Sequence, residues 1–188
     1  PKSREGGFGK ARIATCHGLA RFFGNSSVQV GGDRMEGKQV VGATGAWPGY
    51  LDIPGEEHLT RSDQFLELDR LPRRIVFVGG GYIAFEFSHI AARAGSDVTI
   101  LHRGMRPLEH FDADLVAKLV ERTRDLDIDL HTNALVTSVD GRPGQFRVTA
   151  STNSSTTTYE ADRAGHAAAR APGTDDPDPP ARRWTAHR

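Results

Sequence analysis

The chain has 188 residues, with 24 basic and 24 acidic side chains, one cysteine and eight histidines. That length allows one or two domains with a real core, and the balanced charge sets up no global field that would draw in nucleic acid or an anionic membrane. One cysteine excludes an internal disulfide and a cysteine-rich metal centre, and the histidines are scattered without ligand spacing, so no metal site is expected. No apolar run reaches the length of a membrane span and no basic-then-apolar leader opens the chain, so the expected location is cytoplasmic, with neither membrane nor nucleic acid as partner.

Residues 1–10 are polar and glycine-rich and carry no initiator methionine, so the chain is expected to begin within a longer protein. Strand-like runs follow at 20–23 and 27–30. Gly31-Gly32-Asp33 reads as a hairpin turn, and residues 38–41 read as a further strand leading into Ala43-Thr44-Gly45. Cys16 and His17 are adjacent, so along a strand they face opposite ways and make a poor nucleophile–base pair. Residues 46–62 are rich in proline and glycine and read as a connector, followed by a short helical run at 63–68.

The organising stretch is next. Residues 75–78 are β-branched or aromatic and stop at glycine, as a buried parallel strand does. Gly79, Gly81 and Ala84 fill the small positions of a dinucleotide-binding turn: one for the sharp bend, one for backbone approach to a pyrophosphate, one for close helix packing. Ile83, Phe87, Ile90, Ala91 and Ala94 recur at helical spacing, Gly95 supplies a stop, and residues 98–101 form a second strand. The diphosphate is expected at the helix N-terminus, where free N–H groups meet the positive end of the dipole.

The end of that second strand decides between the nicotinamide cofactors. An NAD site places Asp or Glu there to hold the ribose hydroxyls. Here the position carries His102 and Arg103, with Arg106 close behind. A guanidinium pairs with a 2′-phosphate where a carboxylate repels it, so NADPH is favoured over NADH. Asp97 precedes the strand and is read as part of the helix–strand turn. Asp112 is read as the cap of a second helix with Leu115, Leu119, Val120 and Leu126 on its apolar face; Asp127 stands at its end, tolerating a left-handed conformation better than most residues. Residues 128–131 read as the next parallel strand. Residues 134–139, 145–150 and 156–160 read as an antiparallel meander, with a mobile hairpin loop at 151–155.

The run Leu71-Pro72-Arg73-Arg74-Ile75-Val76-Phe77-Val78-Gly79-Gly80-Gly81-Tyr82-Ile83-Ala84-Phe85-Glu86 resembles the pyridine nucleotide–disulfide oxidoreductases, the group of glutathione reductase, mercuric reductase and dihydrolipoamide dehydrogenase. Ala43-Thr44-Gly45-Ala46-Trp47-Pro48 is similar to the family's Ala-Thr-Gly segment, and Ile53-Pro54-Gly55 with Ser62-Asp63 to its connector. The segment from Arg103 to Phe111-Asp112 is similar to its NADPH-type continuation. The likeness covers residues 8–162. It implies that Thr44 and Gly45 lie near FAD through their backbone, although Gly42 stands where the family has a bulky aliphatic residue. It also implies that Tyr82 covers the flavin ring, and that Glu86 lies near the nicotinamide carboxamide and pairs with a lysine of the FAD domain. These two are four residues apart on one helix face. From residue chemistry alone, Tyr82 reads as packing and Glu86 as charge compensation at the helix start.

Residues 162–172 resemble the family's closing strand, in which Asp opens a hydrophobic run ending in Gly-Arg-x-Pro. Here Arg163, Ala164 and Gly165 take the aliphatic positions and Ala169 replaces the glycine, while Arg170 and Pro172 are kept. The charged, proline-rich end beyond is expected not to fold; a frameshift, a truncation or a diverged terminus would each account for it.

The expected fold is α/β: a Rossmann-like NAD(P)-binding domain, parallel sheet plus antiparallel meander, with an edge piece of an FAD-binding domain. The expected organisation is 1–59 as the end of the first FAD segment and connector, 60–161 as the nucleotide domain, and 162–188 as a degenerate return strand and tail. An N-terminal FAD fingerprint, a Cys-x-x-x-x-Cys pair and a dimerisation domain with a His–Glu pair are not in this sequence. The resemblance therefore implies a piece of a homodimeric parent enzyme that passes hydride from NADPH through FAD to a disulfide or similar acceptor, with this chain binding nucleotide alone. A non-catalytic dinucleotide-binding module and a flavin reductase without a redox disulfide are the alternatives.

Overall fold

The computed structural model describes residues 2–23, 26–152 and 155–172, without the side chains of residues 2–4 and 172. Two compact units divide after Gly45, the second being Ala46–Ala171. In the first, helix α1 (Lys2–Lys10) precedes strands β1 (Ala20–Phe22), β2 (Ser27–Val30) and β3 (Asp33–Glu36). These strands form an antiparallel sheet in the order β1-β2-β3. Gly31-Gly32 makes a two-residue turn that pairs Val30 directly with Asp33, and Gly31 supplies the positive φ of 58°. Residues 38–41, expected as a strand, are not one. The tight turn puts Asp33–Glu36 in the hairpin's second arm and β1 takes the other edge of β2, so Val41 is left 87% exposed.

The second unit opens with β4 (Ala46–Pro48), a 3-10 turn at Glu56–His58 and helix α2 (Ser62–Leu66). Its centre is β5 (Arg74–Val78), α3 (Tyr82–Arg93) and β6 (Asp97–Leu101), then α4 (Ala113–Arg124) and β7 (Asp129–His131). The meander is β8 (Leu135–Arg142), β9 (Gln145–Ser151) and β10 (Thr156–Ala161), before β11 (Arg163–His166) and β12 (Arg170–Pro172). The parallel sheet runs β11-β5-β6-β7, the meander β10-β9-β8, and β12 pairs with β4.

Alternation along β5 builds two cores. Val76 and Val78 face the meander with Val136, Val139, Phe146 and Val148, whereas Ile75 and Phe77 face α3 with Ala84, Phe87 and Ala91. Each such buried side chain contributes about 1.5–3 kcal/mol, so a strand buried on both faces anchors the unit. On α4 the buried apolar residue is Val116, and the expected Leu115 is 66% exposed. Its inward face is Val116 with Leu119 and Val120, against Phe85 and Leu108.

Both helices end by the same device. After α3 the N–H groups of Gly95 and Ser96 bond back to Ala92 and Ala91, with Gly95 at φ 92°. After α4 those of Asp127 and Ile128 bond to Arg124 and Thr123, with Asp127 in the same left-handed region at φ 55°.

The weakly apolar stretch from Asp162 does form a strand. β11 pairs in parallel with β5, Arg163 opposite Ile75 through His166 opposite Val78. Gly165 is small for a reason: a Cβ there would lie 2.6 Å from the Phe77 ring. The Asp162 carboxylate accepts from the backbone N–H of Arg74 at 3.0 Å and pairs with its guanidinium at 2.9 Å, fixing the starts of both strands. The connector belongs to this unit because Thr60 bonds both ways with β11, to the Ala164 carbonyl and from the His166 N–H, each at 2.8 Å. Residues 173–188, the rest of the expected tail, and residues 153 and 154 of the expected hairpin loop lie outside the described residues.

Candidate functional site

The C-terminal ends of β5 and β6 open into a cleft of about 420 Å³ lined by Gly79, Gly80, Gly81, Tyr82, His102 and Arg103, with Glu109, His110 and Ala168 across from them. That is the edge of a parallel sheet where ligands bind in open α/β folds.

Each of the three glycines has its own physical reason. Gly79 has φ 108°, and a Cβ on it would fall 2.3 Å from Ala168 Cα, so the turn is pressed against the segment leaving β11. Gly80 has the His102 ring over it, 2.8 Å from where a Cβ would be. Gly81 starts α3 with extended backbone, and a Cβ there would stand 3.1 Å from the Ala167 carbonyl oxygen. The helix has no side-chain cap and no acidic residue in its first turn, so its N-terminal N–H groups and dipole are presented to the cleft.

Sequence reasoning singled out Gly79 and Gly81 but not Gly80, Leu108 or Ala168. The third glycine at an otherwise unconstrained position was the available signal. Leu108 closes the cleft from the far side: its N–H donates to the Gly80 carbonyl at 3.0 Å, and it holds φ 50°. A left-handed leucine costs about 1–2 kcal/mol, which burial against Phe85 and Val116 offsets.

His102 is largely enclosed, its side chain 12% exposed. Gly80 N–H donates to its Nδ1 at 3.2 Å, so that nitrogen is the acceptor and the ring proton sits on Nε2, which donates to the Arg106 carbonyl at 2.9 Å. Both ring nitrogens are engaged within the protein. Arg103 is exposed on the cleft wall and has no hydrogen-bond or ion-pair partner among the described residues. Arg106 is tied by its Nη2 to the Glu109 carbonyl at 2.7 Å. The Glu109 carboxylate lies in the same cleft, 3.8 Å from His102 Nε2. Asp97 pairs with Arg73 at the opposite end of β6, roughly 16 Å of strand from position 102.

The remaining expected residues divide. Tyr82 is 49% exposed at the mouth of the cleft, and Glu86 is exposed one turn along the same helix face. Ile83 lines a smaller neighbouring pocket of about 160 Å³ with Ser62, His166 and Arg170. Ala84 is fully buried under the helix, where it packs against β5. Thr44 and Gly45 belong to the first unit; both are exposed, and Gly45 has φ 82°. Among the described residues no cluster of His, Cys, Asp or Glu could hold a metal ion, and Cys16 is a free, exposed thiol. No helix among them is long and apolar enough to cross a membrane.

A parallel sheet with a glycine turn between its first strand and helix, covered by an antiparallel meander, defines a Rossmann-like dinucleotide-binding α/β domain. The model of the pyridine nucleotide-disulphide oxidoreductase family matches residues 4–176, so the chain belongs to that family, whose members use FAD and NAD(P)H. It is 40% identical over 136 residues to dihydrolipoyl dehydrogenase of Mycoplasma pneumoniae, covering 68% of this chain and 29% of that protein. To glutathione reductase of Burkholderia cepacia it is 32% identical over 164 residues, 87% of this chain and 36% of that one. Among solved structures it is similar to the HOCl-induced flavoprotein disulfide reductase of Escherichia coli in its Cu(II) complex, with a TM-score of 0.73 and 28% identity over 91% of this chain and 40% of that one. The chain spans roughly a third of the length of the curated relatives it matches.

Proposed function

We propose that the cleft binds a nicotinamide dinucleotide and favours NADPH over NADH, within a longer flavoprotein reductase. The supporting observation is Arg103, an unpaired guanidinium on the wall of a cleft whose floor is the glycine turn and an uncapped helix N-terminus. Donors in that arrangement suit a diphosphate and a 2′-phosphate in turn. When bound, NADPH supplies a hydride and FAD accepts it, for delivery to a disulfide or similar acceptor. The protein's part is placement. Residues 79–81 let backbone approach the diphosphate, and the N–H groups at the start of α3 hold its charge. Arg103 selects the 2′-phosphate.

Tyr82 at the cleft mouth is assigned to shielding the flavin face until nicotinamide arrives, and Glu86 to orienting the carboxamide. Thr44 and Gly45 are assigned to FAD contact through their backbone, and the parent to a homodimer; these roles rest on family membership. The chain alone is expected to bind nucleotide without completing the reaction. Fluorescence titration of the purified chain with NADPH and with NADH tests the reading. Saturable binding that is tighter for NADPH supports it. Equal affinity removes the 2′-phosphate role of Arg103, and no binding of either overturns the nucleotide site.

A further inference from the structure

The His102 ring sits between the two halves of the cleft. One nitrogen takes the Gly80 N–H of the phosphate-facing turn at 3.2 Å, and the other donates to the carbonyl of Arg106 in the loop that carries Arg103 and Glu109. Gly80 is also bonded through its carbonyl to Leu108 at the far end of that loop. The loop backbone is further held by Ala134 N–H on the His102 carbonyl and by Asn133 N–H on the Gly104 carbonyl, both at 2.9 Å. Where an NAD site would carry a ribose-holding carboxylate, this chain therefore has a side chain whose polar atoms are spent on its own backbone.

We propose that His102 is a positioning residue for nucleotide selectivity: its Nδ1 bond holds the glycine turn, and its Nε2 bond sets the loop that presents Arg103 to the 2′-phosphate. It does not itself contact the ribose. The assignment rests on the cleft being the nucleotide site. A hydrogen bond to a carbonyl on a short loop is worth little in global stability, but it restricts where the neighbouring guanidinium can stand, and preorganisation of that kind is read in selectivity.

Two substitutions separate the two bonds. The amide oxygen of His102→Asn reaches the position of Nδ1 but leaves the Arg106 carbonyl without a donor, and the amide N–H of His102→Gln reaches the Nε2 position but leaves Gly80 without an acceptor. The measurement is calorimetric titration of the whole chain with ADP-ribose and 2′-phospho-ADP-ribose, which differ only in the 2′-phosphate, beside a thermal melt. For His102→Asn we expect ADP-ribose affinity near that of the unmodified chain and a ratio of the two affinities reduced by roughly fivefold or more. For His102→Gln we expect both ligands weakened by a similar factor with the ratio kept. Unchanged affinities in both variants, or parallel losses in both that track a lowered melting temperature, overturn the assignment while leaving the cleft as the nucleotide site. If the unmodified chain binds neither ligand, the nucleotide reading itself falls and takes the assignment with it.

Discussion

Gly80 and His102 are in direct register: the Gly80 N–H points at Nδ1 at 3.2 Å, and the ring atom Cγ stands 2.8 Å from where a Gly80 side chain would begin. Gly80 has no positive φ, so its requirement is for space and not for backbone freedom. Gly80→Ala should therefore displace the ring and weaken nucleotide binding roughly tenfold. In a His102→Ala background the same substitution should cost much less, because the clash is gone. Nucleotide titrations and melts over the four-protein cycle check this; strictly additive effects would show that the two residues do not interact.

Selectivity should respond to both charges in the cleft. Arg103→Glu should weaken NADPH binding by roughly 10- to 100-fold, the range of a lost charge-assisted bond, and change NADH binding far less. Glu109→Gln should do the reverse and strengthen NADPH binding several-fold, since its carboxylate lines the cleft proposed to take the 2′-phosphate. Dissociation constants for both cofactors at one fixed ionic strength are the readout.

Acid should loosen the joint between β5 and β11. Hydrogen bonding from Arg74 holds the Asp162 carboxyl below the ordinary 3.8 of an aspartate. The unfolded chain then takes up that proton first, so the contribution is complete above the unfolded value and is lost as pH falls through the lower folded one. Asp162→Asn should lower the melting temperature at neutral pH. It should also lose less stability than the unmodified protein between about pH 5 and pH 2.5. A variant with the same acid profile would show that the pair does not supply this term.

The end of α4 offers a gain. Asp127 holds φ 55° at the position where α3 uses Gly95, so Asp127→Gly should raise stability by about 0.5–1 kcal/mol, net of the greater freedom glycine has when unfolded. Urea denaturation at constant slope is the check.

The parts that local chemistry controls were legible in the sequence. The apolar run ending in glycine specifies β5, the spacing from Ile83 to Ala91 specifies α3, Asp112 caps α4 through bonds to the N–H groups of Asp114 and Leu115, and period-two alternation specifies the meander. Each depends on a side chain's effect on its own turn of backbone or on one buried face. The run at 38–41 misled for the complementary reason: β-propensity alone makes no strand, and both edges of β2 are taken by β1 and β3.

What tertiary structure decided are contacts between distant residues. Arg163, Ala164 and Gly165 look too polar or too small for a core strand, yet β11 forms because Asp162 grips Arg74, 88 residues away, and because the Phe77 ring needs the room above Gly165. His102 read as a residue of the cofactor site at the end of β6; 22 residues of chain separate it from the Gly80 N–H that donates to its ring nitrogen. Local pattern marked β5, α3 and the glycine turn between them. Only packing fixed which polar atoms remain free to meet a ligand, because a hydrogen bond spent inside the protein leaves no trace in the order of residues.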